Sequence, residues 1–271
     1  MVPPHPDVQI RVGIFGGSGF YSFLDDVQEV PVQTPYGPPS ATVTVGQVKG
    51  RSVGFMPRHG ADHSLPPHKI NYRDNVWAMK HLGATDMILP CAAGSLDPDI
   101  APGSFVIADQ AVDRTSGRDS TFYDGPRTVH VAFADPYDAE MRSVVLQQAG
   151  ELGIEVHDGG TIVVINGPRF STRAESQYYA RQGWQVIGMT QFPEVTLCRE
   201  LEIAALNISL ITDYYVGLSD DPGIAEVTHA EVLKTFEANN EHLRDLLFAI
   251  IPALPLSADR PALHALDDVP H

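Results

Sequence analysis

Short apolar runs alternate with helix-periodic segments along this chain. Val12 to Phe15 is apolar and stops at Gly16-Gly17-Ser18-Gly19, the pattern of a strand feeding a glycine turn. Ala41 to Val48 alternates apolar and polar positions and predicts a half-exposed strand. Ser52 to Met56 predicts a strand that runs into Pro57-Arg58-His59-Gly60. Asp86 to Pro90 predicts another, running into the small residues Cys91-Ala92-Ala93-Gly94-Ser95, and Ser104 to Ala108 a short one. Between these lie helical patterns. Asn71 to Leu82 places Tyr72, Val76, Met79 and Leu82 on one face before Gly83. Asp138 to Leu152 turns Met141, Val144, Val145 and Leu152 inward. Val227 to Ile251 carries the stripe Val232, Leu233, Phe236, Leu243, Leu246, Leu247 and Ile250.

The stretch from Thr161 to Gly217 holds three apolar runs, each ending in polar residues. TIVVI runs into Asn166-Gly167-Pro168-Arg169-Phe170-Ser171-Thr172, WQVIGM into Thr190, and ALNISLI into Thr212-Asp213-Tyr214-Tyr215. Ligands in α/β proteins sit outside the carboxyl ends of strands, so three such ends suggest one composite pocket. A helix is expected over 172–182, with Thr172 and Glu175 in capping-box spacing. A second is expected over 193–202, with Glu194 in its first turn. Residues 109–123 read as a polar loop, too long for a simple connector.

Alternating strands and helices predict an α/β fold with a largely parallel central sheet in one domain. The Pro-rich residues 1–10 are expected to be loose, 11–252 to form the domain, and 253–271 to be a C-terminal extension. Composition narrows the function. The formal net charge of -16 argues against a nucleic-acid partner, which needs a basic face. No apolar run approaches the ~18 residues of a membrane span, and the start of the chain lacks a signal-like apolar core, so a cytoplasmic protein is expected. Cys91 and Cys198 match no metal motif and read as buried thiols.

The polar strand ends are candidates for anion chemistry. Ser18 in its glycine turn either closes an ordinary turn or holds an anion with backbone N–H groups. Arg58-His59 is an anion clamp or a solvated loop, since both side chains can donate. Glu194 complements the helix dipole, binds a sugar hydroxyl or orients Arg169. Asp213 follows an apolar strand; a carboxyl partly buried there has a raised pKa and can serve as a general acid, or it is a satisfied turn residue. There is no HExxH and no GxSxG. The residues by themselves support an enzyme that uses phosphate or another small anion.

A set of ordered motifs goes further. GIFGGSGF, PRHG, HKINYRDNVWAMK, PCAAGSL, DRTSGR, HVAFADPY, INGPRFSTRAES, GMTQFPE and ITDYY resemble the methylthioadenosine phosphorylase branch of the trimeric purine nucleoside phosphorylases, from about residue 11 to 250. The resemblance implies a mixed central sheet surrounded by helices, and phosphorolysis of a purine nucleoside with phosphate as co-substrate and no cofactor or metal. It implies a phosphate site at Ser18, Arg58, His59, the backbone at Ala92, and Thr190. It implies a base site at Phe170, Ser171, Asp213 and Tyr215, with Asp213 as the catalytic acid toward N7. Met189, His229 and Val232 would line the ribose and 5′ pocket, with His130 supplied by a neighbouring subunit of a homotrimer or a dimer of trimers.

The 6-oxopurine branch carries Glu and Asn where this chain has Ser171 and Asp213, so a 6-aminopurine is favoured. Tyr215 departs from the branch, which carries a second Asp there; Gly188 stands where a human-like pattern has Asn. His229 stands where many methylthioadenosine enzymes have a small apolar residue. Cleavage of 5′-methylthioadenosine is therefore the first expectation. Action on adenosine or other 5′-hydroxyl purine nucleosides is the alternative, and an inactive nucleoside-binding protein the third.

Overall fold

The sheet is built around β5 (Asp86–Ser95), a strand buried at every position except Ala92. A computed structural model describes residues 2–16, 25–215, 229–267 and 269. The expectations for Ser18, and for the side chains of His229, Val232, Leu233 and Phe236, fall outside the described residues.

On one edge, the first half of β5 pairs in parallel with β1 (Val12–Gly16), up to Ile14 opposite Ile88. The end of that same edge pairs antiparallel with β10 (Val186–Gly188), at Gly94 and Ser95. On the other edge, β11 (Ala204–Tyr214) follows β5 in parallel along its length. Beyond β1 lie β4 (Arg51–Pro57), parallel, then β3 (Val43–Val48) and β2 (Asp25–Val30), both antiparallel to their neighbours. Beyond β10 lie β9 (Thr161–Ile165) and β7 (Gln110–Arg114), both parallel. β6 (Phe105–Ile107) runs antiparallel to β11, and β8 (Val156–Asp158) parallel to β6. The sheet is therefore mixed.

Unbroken apolar strands need cover on both faces. Met87 and Leu89 of β5 face a cluster with α1 (Tyr72–His81) and α4 (Gln191–Glu200), through Val76, Met79, Val195 and Leu197. Ile88 faces the opposite cluster with α2 (Ala139–Leu152) and α5 (His229–Ala253), through Met141, Val145, Leu243 and Leu246. The period-2 alternation of a strand sends neighbours to opposite sides. Local rules set the helix ends. Asp138 caps α2 by accepting from Met141 N at 2.9 Å, and Gly153 ends it at φ 67°. Thr172 and Glu175 form the predicted capping box of α3 (Arg173–Arg181).

Several expectations change. Leu152 of α2 is exposed instead of inward. β3 is buried at nearly every position instead of half-exposed, because the sheet is covered on both faces. The run Cys91–Ser95 continues β5 instead of leaving it, because β11 offers backbone partners along its whole edge. The first part of the expected 109–123 loop is β7, an edge strand whose partly exposed side chains give no apolar run. The N-terminal stretch is held rather than loose, since His5 N donates to His81 O and Ile10 N to Leu82 O, each at 2.7 Å. The tail packs back on the fold. Leu254 and Ala262 are buried, and the fully buried Arg260 meets Asp86 at the start of β5 at 2.5 Å.

Candidate active site

Between the end of the β1 pairing at Ile88 and the start of the β10 pairing at Gly94, one edge of β5 is open. The sheet forks there, the kind of topological switch point at which α/β proteins bind ligands. Side chains bond to two carbonyls of this stretch. Arg58 Nη1 donates to Pro90 O at 2.6 Å, and Gln191 Nε2 to Leu89 O at 3.0 Å. Ala92, the exposed position in this buried strand, opens onto the fork.

Two segments arrive at the same place. Arg58 follows β4 directly and is buried. Thr190 precedes α4, and its buried Oγ1 has no hydrogen-bond partner among the described residues. An orphaned buried hydroxyl carries a cost of about 1–3 kcal/mol, which a bound oxyanion relieves. His59 binds Leu65 O through Nδ1 at 2.9 Å and stacks on His63 at 5.0 Å. Burial lowers its pKa to about 4, helped by the positive charge of Arg58 and opposed by the bond to Leu65. The ring is thus neutral at pH 7. Holding the proton on Nδ1 to donate to Leu65 O leaves Nε2 as the acceptor.

A second group lies at the ends of β9, β10 and β11. Phe170, Met189 and Tyr215 belong to one apolar cluster with Leu96, Ile165 and Ile187. Register slips between Ile211 and Asp213 of β11, so a bulge at Thr212 re-aims the strand end. Asp213 is half-buried, and its Oδ1 accepts from Thr212 Oγ1 at 2.7 Å. Gly94 makes room for this arrangement. A Cβ there would lie 2.1 Å from the Tyr215 ring and 2.9 Å from Asp213 Oδ2. Small residues in this part of β5 therefore admit side chains of the site itself.

Tyr215 meets Phe170 edge-on at 6.1 Å, and its hydroxyl accepts from Ser171 N at 3.2 Å. Burial raises its pKa, so the phenol stays protonated. Ser171 Oγ lies 2.5 Å from Ser176 Oγ, which itself donates to Thr172 O. With the Ser176 proton committed there, Ser171 gives its own proton to Ser176 and presents lone pairs.

The structure thus brings Arg58, His59, Ala92 and Thr190 to the fork, and Phe170, Ser171, Met189, Asp213 and Tyr215 beside it. His130 is exposed next to the buried Val129 and, among the described residues, shares no hydrogen bond or ring contact with the other candidates. Glu194 does not orient Arg169, which pairs with Glu175 at 2.8 Å. It is fully buried against Arg58 instead. Sequence reasoning also missed Arg118, whose guanidinium donates to Tyr72 Oη, Phe192 O and Asn166 O. It ties the loop after β9 to the start of α4; its place in the motif DRTSGR was the one available signal. Among the described residues, no cluster of His, Cys, Asp or Glu can hold a metal ion, and no helix is long and apolar enough to cross a membrane.

Known proteins resemble this chain over nearly its whole length. The family model for the phosphorylase superfamily matches residues 11–252. A purine nucleoside phosphorylase of Streptomyces coelicolor is 50% identical, covering 93% of this chain and 92% of its own. An S-methyl-5′-thioadenosine phosphorylase of Thermofilum pendens is 46% identical, covering 96% and 98%. The structure of methylthioadenosine phosphorylase from Schistosoma mansoni in complex with adenine superposes with a TM-score of 0.85 at 35% identity, covering 90% of this chain and 92% of that one. A fork of the sheet lined by anion donors, with an aromatic and a carboxylate beside it, is thus embedded in a match that spans nearly the whole chain. The chain belongs to the phosphorylase superfamily and, within it, to the methylthioadenosine phosphorylase branch of the purine nucleoside phosphorylases.

Proposed function

We propose that this chain cleaves 5′-methylthioadenosine with inorganic phosphate, giving adenine and 5-methylthioribose 1-phosphate. The observation that carries the reading is the orphaned Thr190 hydroxyl beside buried Arg58, at the open edge of β5 and next to the Phe170–Asp213 group. Phosphate held by Arg58, Thr190 and the backbone at Ala92 attacks C1′ as the bond to N9 breaks. The bonding electrons leave with the purine, and protonated Asp213 gives its proton to N7, so the base departs neutral. The bound anion stabilises the cationic sugar that develops between the two groups. Phe170 stacks on the base, and the lone pairs of Ser171 Oγ suit a 6-amino donor. Met189 lies on the 5′ side, to which the resemblance also assigns His229 and Val232, and His130 of a neighbouring copy completes it in a homotrimer working in the cytoplasm.

The second reading, action on adenosine or other 5′-hydroxyl nucleosides, is favoured by two features: His229 stands where many methylthioadenosine enzymes have a small apolar residue, and the 50%-identical relative is named a purine nucleoside phosphorylase. Phosphate-dependent base release from methylthioadenosine, adenosine and inosine decides between them. The proposal expects the highest kcat/KM for methylthioadenosine. Adenosine ahead moves the assignment to the second reading, and inosine ahead of both overturns the role given to Asp213.

A further inference from the structure

We propose that Glu194 is a positioning residue that sets the plane of Arg58 for an incoming oxyanion; this rests on reading Arg58 as a phosphate ligand. Both side chains are shut away from water, at 4% and 0% exposure. Arg58 Nε donates to Glu194 Oε1 at 2.7 Å and Nη2 to Oε2 at 3.1 Å, a two-pronged contact along one side of the guanidinium. Nη1 donates to Pro90 O at 2.6 Å. A guanidinium has five N–H groups in one plane. Among the described residues three are taken, which leaves one N–H on each Nη; with Pro90 O on the Nη1 hydrogen nearer Cδ, the two free ones lie side by side on one edge. That edge matches two oxygens of a phosphate. Glu194 and Pro90 together therefore fix which edge of Arg58 is offered.

The pairing also links two parts of the site. Glu194 lies in the first turn of α4, the helix that begins just after the orphaned Thr190 hydroxyl. Thr190 and Glu194 lie four residues apart on one short segment, which is extended at Phe192 (φ -104°, ψ 131°), so that segment carries Thr190 directly and sets Arg58 through the carboxylate. Burial raises the Glu194 pKa and the Arg58 charge opposes this, so the pair is held by mutual need. As an ion pair it adds no net charge to the fork, so an anion there depends on aligned N–H groups. Small errors in the Arg58 plane then matter for phosphate more than for nucleoside.

The test is steady-state kinetics of Glu194→Gln and Glu194→Asp, with phosphate and nucleoside varied separately. Glutamine keeps the shape but sets an N–H₂ against one Arg58 N–H. The expected result is a phosphate KM raised on the order of 10-fold or more, with the nucleoside KM little changed. Glu194→Asp keeps the charge and should recover part of the loss; it also serves if the glutamine variant does not fold by circular dichroism. In an Arg58→Met background, Glu194→Gln should have no further effect on phosphate KM. An unchanged phosphate KM, an equal rise in both KM values, or the same shift without Arg58 overturns the positioning role. If the unaltered chain shows no phosphate-dependent cleavage of any purine nucleoside, the phosphate reading of Arg58 fails first, and this proposal with it.

Discussion

Replacing Arg260 with methionine should destabilise the fold by an amount that can be worked out from its partners. The side chain is fully buried, with Nη2 at 2.5 Å from Asp86 Oδ1 and Nη1 at 3.6 Å from Asp138 Oδ2. Asp86 is equally buried but keeps, at Oδ2, an ion-pair contact with Arg11 Nε at 2.8 Å and a hydrogen bond from Thr85 Oγ1 at 2.9 Å. Asp138 still caps α2. Arg260→Met therefore orphans neither carboxylate, and methionine fills much of the space. The main loss is the charge-assisted hydrogen bond to Asp86, about 1.5–3 kcal/mol, with a smaller loss from the longer bond to Ser257 O at 3.3 Å. Asp86→Ala is worse, because it leaves a buried guanidinium with only the distant Asp138 and Ser257 O. That costs about 3–5 kcal/mol. Asp86→Leu combined with Arg260→Met should cost less than the two separate losses, because no unpaired arginine charge remains at the position of Arg260. Urea unfolding followed by circular dichroism at one protein concentration measures all of these. A loss under about 0.5 kcal/mol for Arg260→Met, within the range of an ordinary surface change, refutes the reasoning. So does Asp86→Ala proving the milder of the two.

Three further outcomes are expected. Asp213→Asn should lower kcat for 6-aminopurine nucleosides by about 10²–10⁴-fold, and a near-normal rate removes the acid role. The folded chain keeps His59 neutral down to about pH 4, while the unfolded chain takes up that proton below 6.5. Its contribution is therefore fully present above 6.5, and stability falls as pH drops from 6.5 toward 4; NMR titration of the ring checks this, and a folded-state inflection near 6.5 contradicts it. Thr172→Ala removes the hydroxyl that accepts from Glu175 N at 3.2 Å and should cost about 1 kcal/mol in urea unfolding. No change would mean that Glu175, still able to accept from Thr172 N at 2.6 Å, holds the helix start alone.

What the sequence by itself determined was whatever depends on near neighbours in the chain. Apolar runs and helical stripes located β1, β4, β9, α1 and α2 because a buried face needs consecutive or periodic apolar residues. The capping box was legible because its bonds span three residues. The candidate residues were named from ordered motifs, and the fork of the sheet gathers those that the structure describes, His130 excepted. The tertiary structure alone decided the rest. The edge strands β2 and β7 bury too little to leave an apolar run. The continuation of β5 through Ser95 depends on β11, more than a hundred residues later in the chain. Glu194 chose Arg58 over Arg169, and Arg260 chose Asp86, because a buried charge pairs with whatever the folded chain brings beside it. Sequence separations of 136 and 174 residues leave no local trace of either choice.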